Sequence, residues 1–236
     1  MIHDRTLKAL SLVLGYPTAE LQGVMPEIGG VLAAETRLTA ATRRDLRPLI
    51  DGLTGDDLYA LQERYVDLFD RTRSLSLNLF EHVHGESRDR GGAMVDLLET
   101  YRAGGFEPSG WQLPDHLPML LEYLATRPAT EARALLAEAA HILEVLGARL
   151  ARRDSPYAAV FVSLLQIAGA APDRAAVAEL LAEPETDPHD LAALDAVWEE
   201  SEITFGPDPN AGCPVSRDLL AQMDRPVNPP TATAAE

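Results

Sequence analysis

From Leu7 to Trp198, apolar side chains return every three or four residues, and this rhythm restricts the possible folds more than any other feature. It gathers apolar groups on one face of an α-helix, which then needs a second helix to cover it. Leu46, Leu49, Ile50 and Leu53 follow it, as do Leu61, Tyr65, Leu68 and Phe69. So do Met94, Leu97, Leu98 and Tyr101, then Ile142, Leu143, Leu146 and Leu150. No glycine-punctuated hairpins and no alternation of strand and helix appear. The chain therefore reads as all-α, a single-domain helical bundle or globule.

Glycine and proline set the expected boundaries. Gly15-Tyr16-Pro17 closes a first helix, and Thr18 caps a second through about Ala34, with Pro26 and Gly29-Gly30 weakening its middle. One helix is expected over Thr39 to Leu53 and one long helix over Thr130 to Arg153. Gly104-Gly105 stops the helix that begins near Ser87, Pro156 opens another, and shorter ones cover Asp173 to Ala182 and Pro188 to Glu200. Residues 1–205 thus form the helical domain. From residue 206 the chain is rich in proline and thin in apolar groups, which predicts a mobile tail over 206–236.

Asp70 to Glu86 breaks the rhythm. Leu75, Leu77 and Leu79 alternate as in a strand, but an isolated strand has no partner in a helical chain, so a short helix or a loop pressed on the core is expected.

Charge narrows the function classes. Twenty basic residues against 37 acidic ones leave a net charge of −17, which repels phosphate backbones and anionic lipid and favours basic partners. Nucleic-acid binding and membrane adsorption are not expected. No stretch has the ~20 apolar residues of a membrane span, and no signal peptide is expected at Met1-Ile2-His3-Asp4-Arg5. The single cysteine, Cys213, excludes an internal disulfide framework and lies in the tail, a poor place for preorganised chemistry.

Catalytic signatures are absent: there is no P-loop, no Gly-x-Gly-x-x-Gly and no Gly-x-Ser-x-Gly. His82-Val83-His84 has a metal-like spacing, and Glu81, Glu86 or His116 are potential further ligands, but no third ligand is defined. We expect neither a metal nor a catalytic role. Arg71, Arg73, Arg88 and Arg90 form a basic cluster that Asp67, Asp70, Glu86 and Asp89 can neutralise.

The stretch Pro114-Asp115-His116-Leu117-Pro118-Met119-Leu120-Leu121-Glu122-Tyr123 is the strongest candidate site. Leu117, Leu120, Leu121 and Leu124 form one helical face, Asp115 suits the N-cap, and Pro118 falls in the first turn, where a missing N–H costs little. Asp115 and Glu122, seven apart, share a side. Either this is a capped core helix with a solvated acidic edge, or it is an acidic rim beside an apolar groove fit for a basic amphipathic peptide.

Three blocks in order carry a family resemblance: Tyr65-Val66-Asp67-Leu68-Phe69-Asp70, the run from Leu75 to Gly91, and Leu113-Pro114-Asp115-His116-Leu117-Pro118 with Glu122-Tyr123. With their spacing they resemble the NarJ family, assembly chaperones of respiratory nitrate reductase within the wider redox-enzyme maturation proteins. The resemblance spans about residues 5–205. It implies an all-helical chaperone without a cofactor or catalysis of its own. Such a protein binds the N-terminal peptide of the nitrate reductase catalytic subunit in the cytoplasm until the molybdenum cofactor is inserted. The cofactor-delivery machinery is a further implied partner. On this reading Tyr65, Phe69 and Leu121 line the trough, Asp115 and Glu122 form the rim, and His116 adds a pH-dependent element. The competing readings are a metal protein built on His82, His84 and His116, and a purely structural helical adaptor.

Overall fold

A computed structural model describes residues 4–71, 73–84, 88–108, 112–169 and 171–182. The chain divides into Met1–Leu191 and Ala192–Glu236, and every described residue belongs to the first unit. The boundary expected at 205, the tail, Cys213 and the helix over Pro188 to Glu200 lie outside the described residues.

The described residues are helical in the order α1 Arg5–Val13, α2 Ala19–Ala34, α3 Ala40–Asp45, α4 Arg47–Gly55, α5 Leu58–Phe69 and α6 Glu81–His84. Then come α7 Arg88–Ala103, α8 Leu117–Leu124, α9 Ala129–Glu138, α10 Ala140–Arg152, α11 Ala158–Ala168 and α12 Arg174–Ala182. No strand runs among them, so the all-α reading holds.

Local chemistry explains the boundaries. The Asp4 carboxylate accepts from the N–H groups of Thr6 and Leu7, both at 3.0 Å, and so caps α1. Thr18 caps α2 as expected. That helix runs unbroken through Pro26 and its glycines, and Gly29 has a packing role: a Cβ there would stand 2.9 Å from Ile50 Cγ2. The missing side chain lets α2 lie against α4. The helix expected over Thr39 to Leu53 is two, α3 and α4. Pro48 has no N–H to donate to the Arg44 carbonyl, so the first helix stops there. The long helix also divides, at Ala139, whose carbonyl accepts from both Ile142 and Leu143 in a tightened turn. Gly105, at φ +71°, ends α7 where glycine is favoured.

Helix α8 is the central element, with Leu117, Leu121 and Leu124 fully buried. It packs against α1, α2 packs on α4, and α11 packs on α10 and α9. The buried Ser11 hydroxyl donates to the Pro118 carbonyl at 2.7 Å, tying α1 to the first turn of α8. Arg149, 2% exposed, donates to the Ser74 carbonyl at 2.9 Å and the Leu180 carbonyl at 2.6 Å, joining α10 to the segment before α6 and to α12. An arginine inside the Leu146–Leu150 stripe was the sequence signal for such a buried tie.

Candidate functional site

The second and third blocks meet directly. Asn78 and His116 form an isolated antiparallel bridge. The Leu79 N–H donates to the Asp115 carbonyl at 3.1 Å, and the Leu117 N–H donates to the Leu77 carbonyl at 2.8 Å. The segment after the 3-10 turn Arg73–Leu75 is thus the packed loop expected, with Leu75, Leu77 and Leu79 buried. It also has the extended partner that sequence reasoning did not find, the residues just before α8.

This pairing corrects the role of Asp115. His116, not Asp115, is the N-cap of α8, and it makes no side-chain capping bond. None is needed at the first two positions: Leu117 N–H goes to Leu77 and Pro118 has no N–H. Asp115 turns inward with 0% exposure, and one of its carboxylate oxygens accepts from the Phe80 N–H at 3.0 Å. Arg90, paired with Glu81 at 3.0 Å, reaches that oxygen at 4.0 Å. The other oxygen has no partner among the described residues. Burial pushes the Asp115 carboxyl up from its ordinary range, while the Phe80 amide and Arg90 pull the other way. Asp115 is therefore an internal latch and not part of an exposed acidic rim. It does not share a side with Glu122.

Tyr65, Phe69 and Leu121 are core residues, at 5%, 3% and 0% exposure, and do not form the surface of a trough. The rings of Tyr16, Tyr65, Phe69 and Tyr157 form a ladder with successive centroids 5.5, 5.0 and 5.1 Å apart. The Tyr65 hydroxyl donates to the Leu14 carbonyl at 3.0 Å. Tyr65 therefore stands behind Tyr16, which is 45% exposed.

An open cleft of about 460 Å³ lies between the C-terminal end of α1, the segment after α7, and α8. Leu12, Tyr16, Phe106 and Met119 supply its apolar surface, and His116, Glu107 and Glu122 supply its polar edge. No lysine or arginine lines it among the described residues. Met119 and Glu122 are three apart on α8, on the face away from the leucine stripe. Glu122 pairs with Lys8 of α1 at 2.5 Å. His116 is pushed down to about 4 by burial, so it is neutral near pH 7 and the pH-dependent element expected of it falls in the acidic range.

Of the sequence-derived candidates, the structure brings His116 and Glu122 to this cleft and places Tyr65, Phe69, Asp115 and Leu121 behind it or elsewhere. Tyr16, Phe106 and Met119 went unnoticed. Two of them carried a signal: Tyr16 sits in a helix-ending Gly-Tyr-Pro turn, and Met119 falls off the leucine stripe.

Of the histidines in the metal reading, His82 is held within its own segment. His82 Nε2 lies 2.8 Å from the Ser76 carbonyl, an acceptor that requires the proton on Nε2. The His84 side chain lies outside the described residues. No group of three potential metal ligands occurs among the described residues. The basic cluster is partly neutralised as expected, with Arg71 on Asp67 at 3.0 Å, but Arg90 pairs with Glu81 instead. No described helix is long and apolar enough to cross a membrane.

The family described as nitrate reductase delta subunit matches residues 35–163, which include the latch, α8 and most of the aromatic ladder. The chain belongs to this family. It is 45% identical over 206 residues to the nitrate reductase molybdenum cofactor assembly chaperone NarJ of Escherichia coli (strain K12), covering 87% of each chain. It is 40% identical over 210 residues to the probable assembly chaperone NarW of the same strain, covering 88% of this chain and 86% of that protein. The probable chaperone NarJ of Bacillus subtilis (strain 168) is 30% identical over 160 residues, 68% of this chain and 86% of that one. The resemblance to NarJ read from the three blocks is borne out. These delta-subunit relatives are named as assembly chaperones, not as enzymes.

Proposed function

We propose that the protein is the assembly chaperone of a respiratory nitrate reductase, and that it holds the N-terminal peptide of the catalytic subunit in the cleft between α1 and α8. The observation that carries the reading is the make-up of that cleft. Leu12, Tyr16, Phe106 and Met119 offer apolar surface, Glu107 and Glu122 offer negative charge, and no described lysine or arginine lines the cleft; the one described cation on this rim is Lys8 of α1, which pairs with Glu122 from outside the lining. This is the complement of a basic amphipathic helix, whose apolar face enters the groove while its cations meet the rim. The −17 net charge favours encounter with the same kind of peptide. Holding that peptide keeps the subunit off its membrane partners until the molybdenum cofactor is inserted, in the cytoplasm.

Calorimetry of the full chain against a synthetic peptide of the cognate catalytic subunit's N-terminus tests the reading. Met119→Lys and Tyr16→Ala, each folded by circular dichroism, should weaken binding at least ten-fold. Unaltered affinity in both would move the peptide elsewhere.

A further inference from the structure

A second cleft, of about 720 Å³, lies between α2 and the α3–α4 pair. Its charge is opposite to that of the chain. Arg43, Arg44 and Arg47 line it, against one acidic lining residue, Asp51. Arg43 donates to two backbone carbonyls, of Glu35 and Leu38, and forms no ion pair among the described residues. Arg44 and Arg47 are exposed, and neither forms an ion pair among the described residues. The floor is apolar and open: Ile50 lines it, and a Cβ added at Gly30 would meet nothing within 4 Å.

We infer that this cleft binds a small organic anion. The anion's apolar body lies over Gly30 and Ile50, and its phosphate, sulfonate or carboxylate group meets Arg44 and Arg47. The volume falls in the range of about 300–1,000 Å³ common for small-molecule sites. Planar guanidinium groups suit an oxyanion with two or more oxygens. A long acidic peptide would meet the repulsion of the −17 chain beyond the arginines, whereas a small anion is confined to the positive pocket. The site is separate from the peptide cleft and does not depend on its function.

The test uses the full chain with the fluorescent anion 8-anilinonaphthalene-1-sulfonate and its uncharged relative N-phenyl-1-naphthylamine. One sulfonate dye per chain is expected, bound at least ten-fold more tightly than the uncharged compound. Arg44→Gln with Arg47→Gln should weaken the dye at least ten-fold, because exposed arginines are removed without touching the core. Gly30→Leu should do the same by filling the floor, and leucine is a better helix former than glycine, so the fold is retained. Glu122→Gln should leave dye binding unchanged. Equal binding of the uncharged compound, or unchanged affinity in the arginine and Gly30 variants, overturns the proposal. So does tighter dye binding in Glu122→Gln, since removing a carboxylate favours a nearby anion and would put the dye in the peptide cleft. Displacement by an acidic Glu/Leu helical peptide but not by pyrophosphate overturns it in favour of a protein partner.

Discussion

The Phe80 N–H donates to the Asp115 carboxylate at 3.0 Å, joining two segments 35 residues apart through a fully buried side chain. The bond ties the segment before α6 to the residues just before α8, beside the cleft between α1 and α8. His116, the next residue, is both a wall of the cleft and half of the bridge to Asn78.

Removing the latch acceptor should cost stability before it costs recognition. Asp115→Ala removes the carboxylate that accepts from the Phe80 N–H, at a cost of roughly 1–3 kcal/mol. Asp115→Asn keeps an acceptor and should cost less. Urea denaturation measures both. Equal losses in the two variants would show that the charge, and not the acceptor, is what matters at this site.

Lys8 and Glu122 pair at 2.5 Å, but their side chains are 26% and 46% exposed, so the pair should add little to stability, about 0–1 kcal/mol. Its effect should appear in binding, because Lys8 occupies the carboxylate that a basic peptide would use. Lys8→Met should raise the association rate of the client peptide, and Glu122→Gln should lower it and reduce its salt dependence. Stopped-flow kinetics from low salt to 1 M, where screening shortens to roughly 3 Å, separates these effects. Salt-independent association in the unaltered protein would refute a charged rim.

Phe69 touches Tyr65 and Tyr157 in the core, so Phe69→Ala should destabilise the fold by roughly 3–5 kcal/mol. The fraction that remains folded should release peptide at the normal rate. A faster dissociation with an unchanged denaturation midpoint would return Phe69 to the binding surface.

His116 makes stability depend on pH in a defined direction. Its folded value of about 4 lies below the ordinary 6.5, so the unfolded chain takes up the proton first as pH falls. Its contribution is whole above about pH 6.5 and is lost progressively down to about pH 4. Glu35 acts in a lower window. Arg37 holds it at about 2 against an ordinary 4.5, so its contribution is lost as pH falls from 4.5 towards 2. Melting temperatures should therefore fall between pH 6.5 and 5 in the native chain and stay flatter in His116→Gln. Glu35→Gln should leave that upper window unchanged.

The helical class, most helix ends, the acidic charge and the family were legible in the sequence, because each rests on local chemistry: apolar spacing, caps, glycine and proline, residue order. Leu117, Leu120, Leu121 and Leu124 declared a core face of α8 that the structure keeps. The facing of individual groups was not legible. Asp115 looked like a cap because caps are local, but the cap became unnecessary once Leu77 from a distant segment took the Leu117 N–H. Tyr65 and Phe69 looked equally fit for groove or core, since a helix stripe does not reveal which neighbour covers it. Tyr16, Phe106 and Met119 became a cleft only when three separate elements converged, and that convergence belongs to long-range packing, which no spacing along the chain encodes.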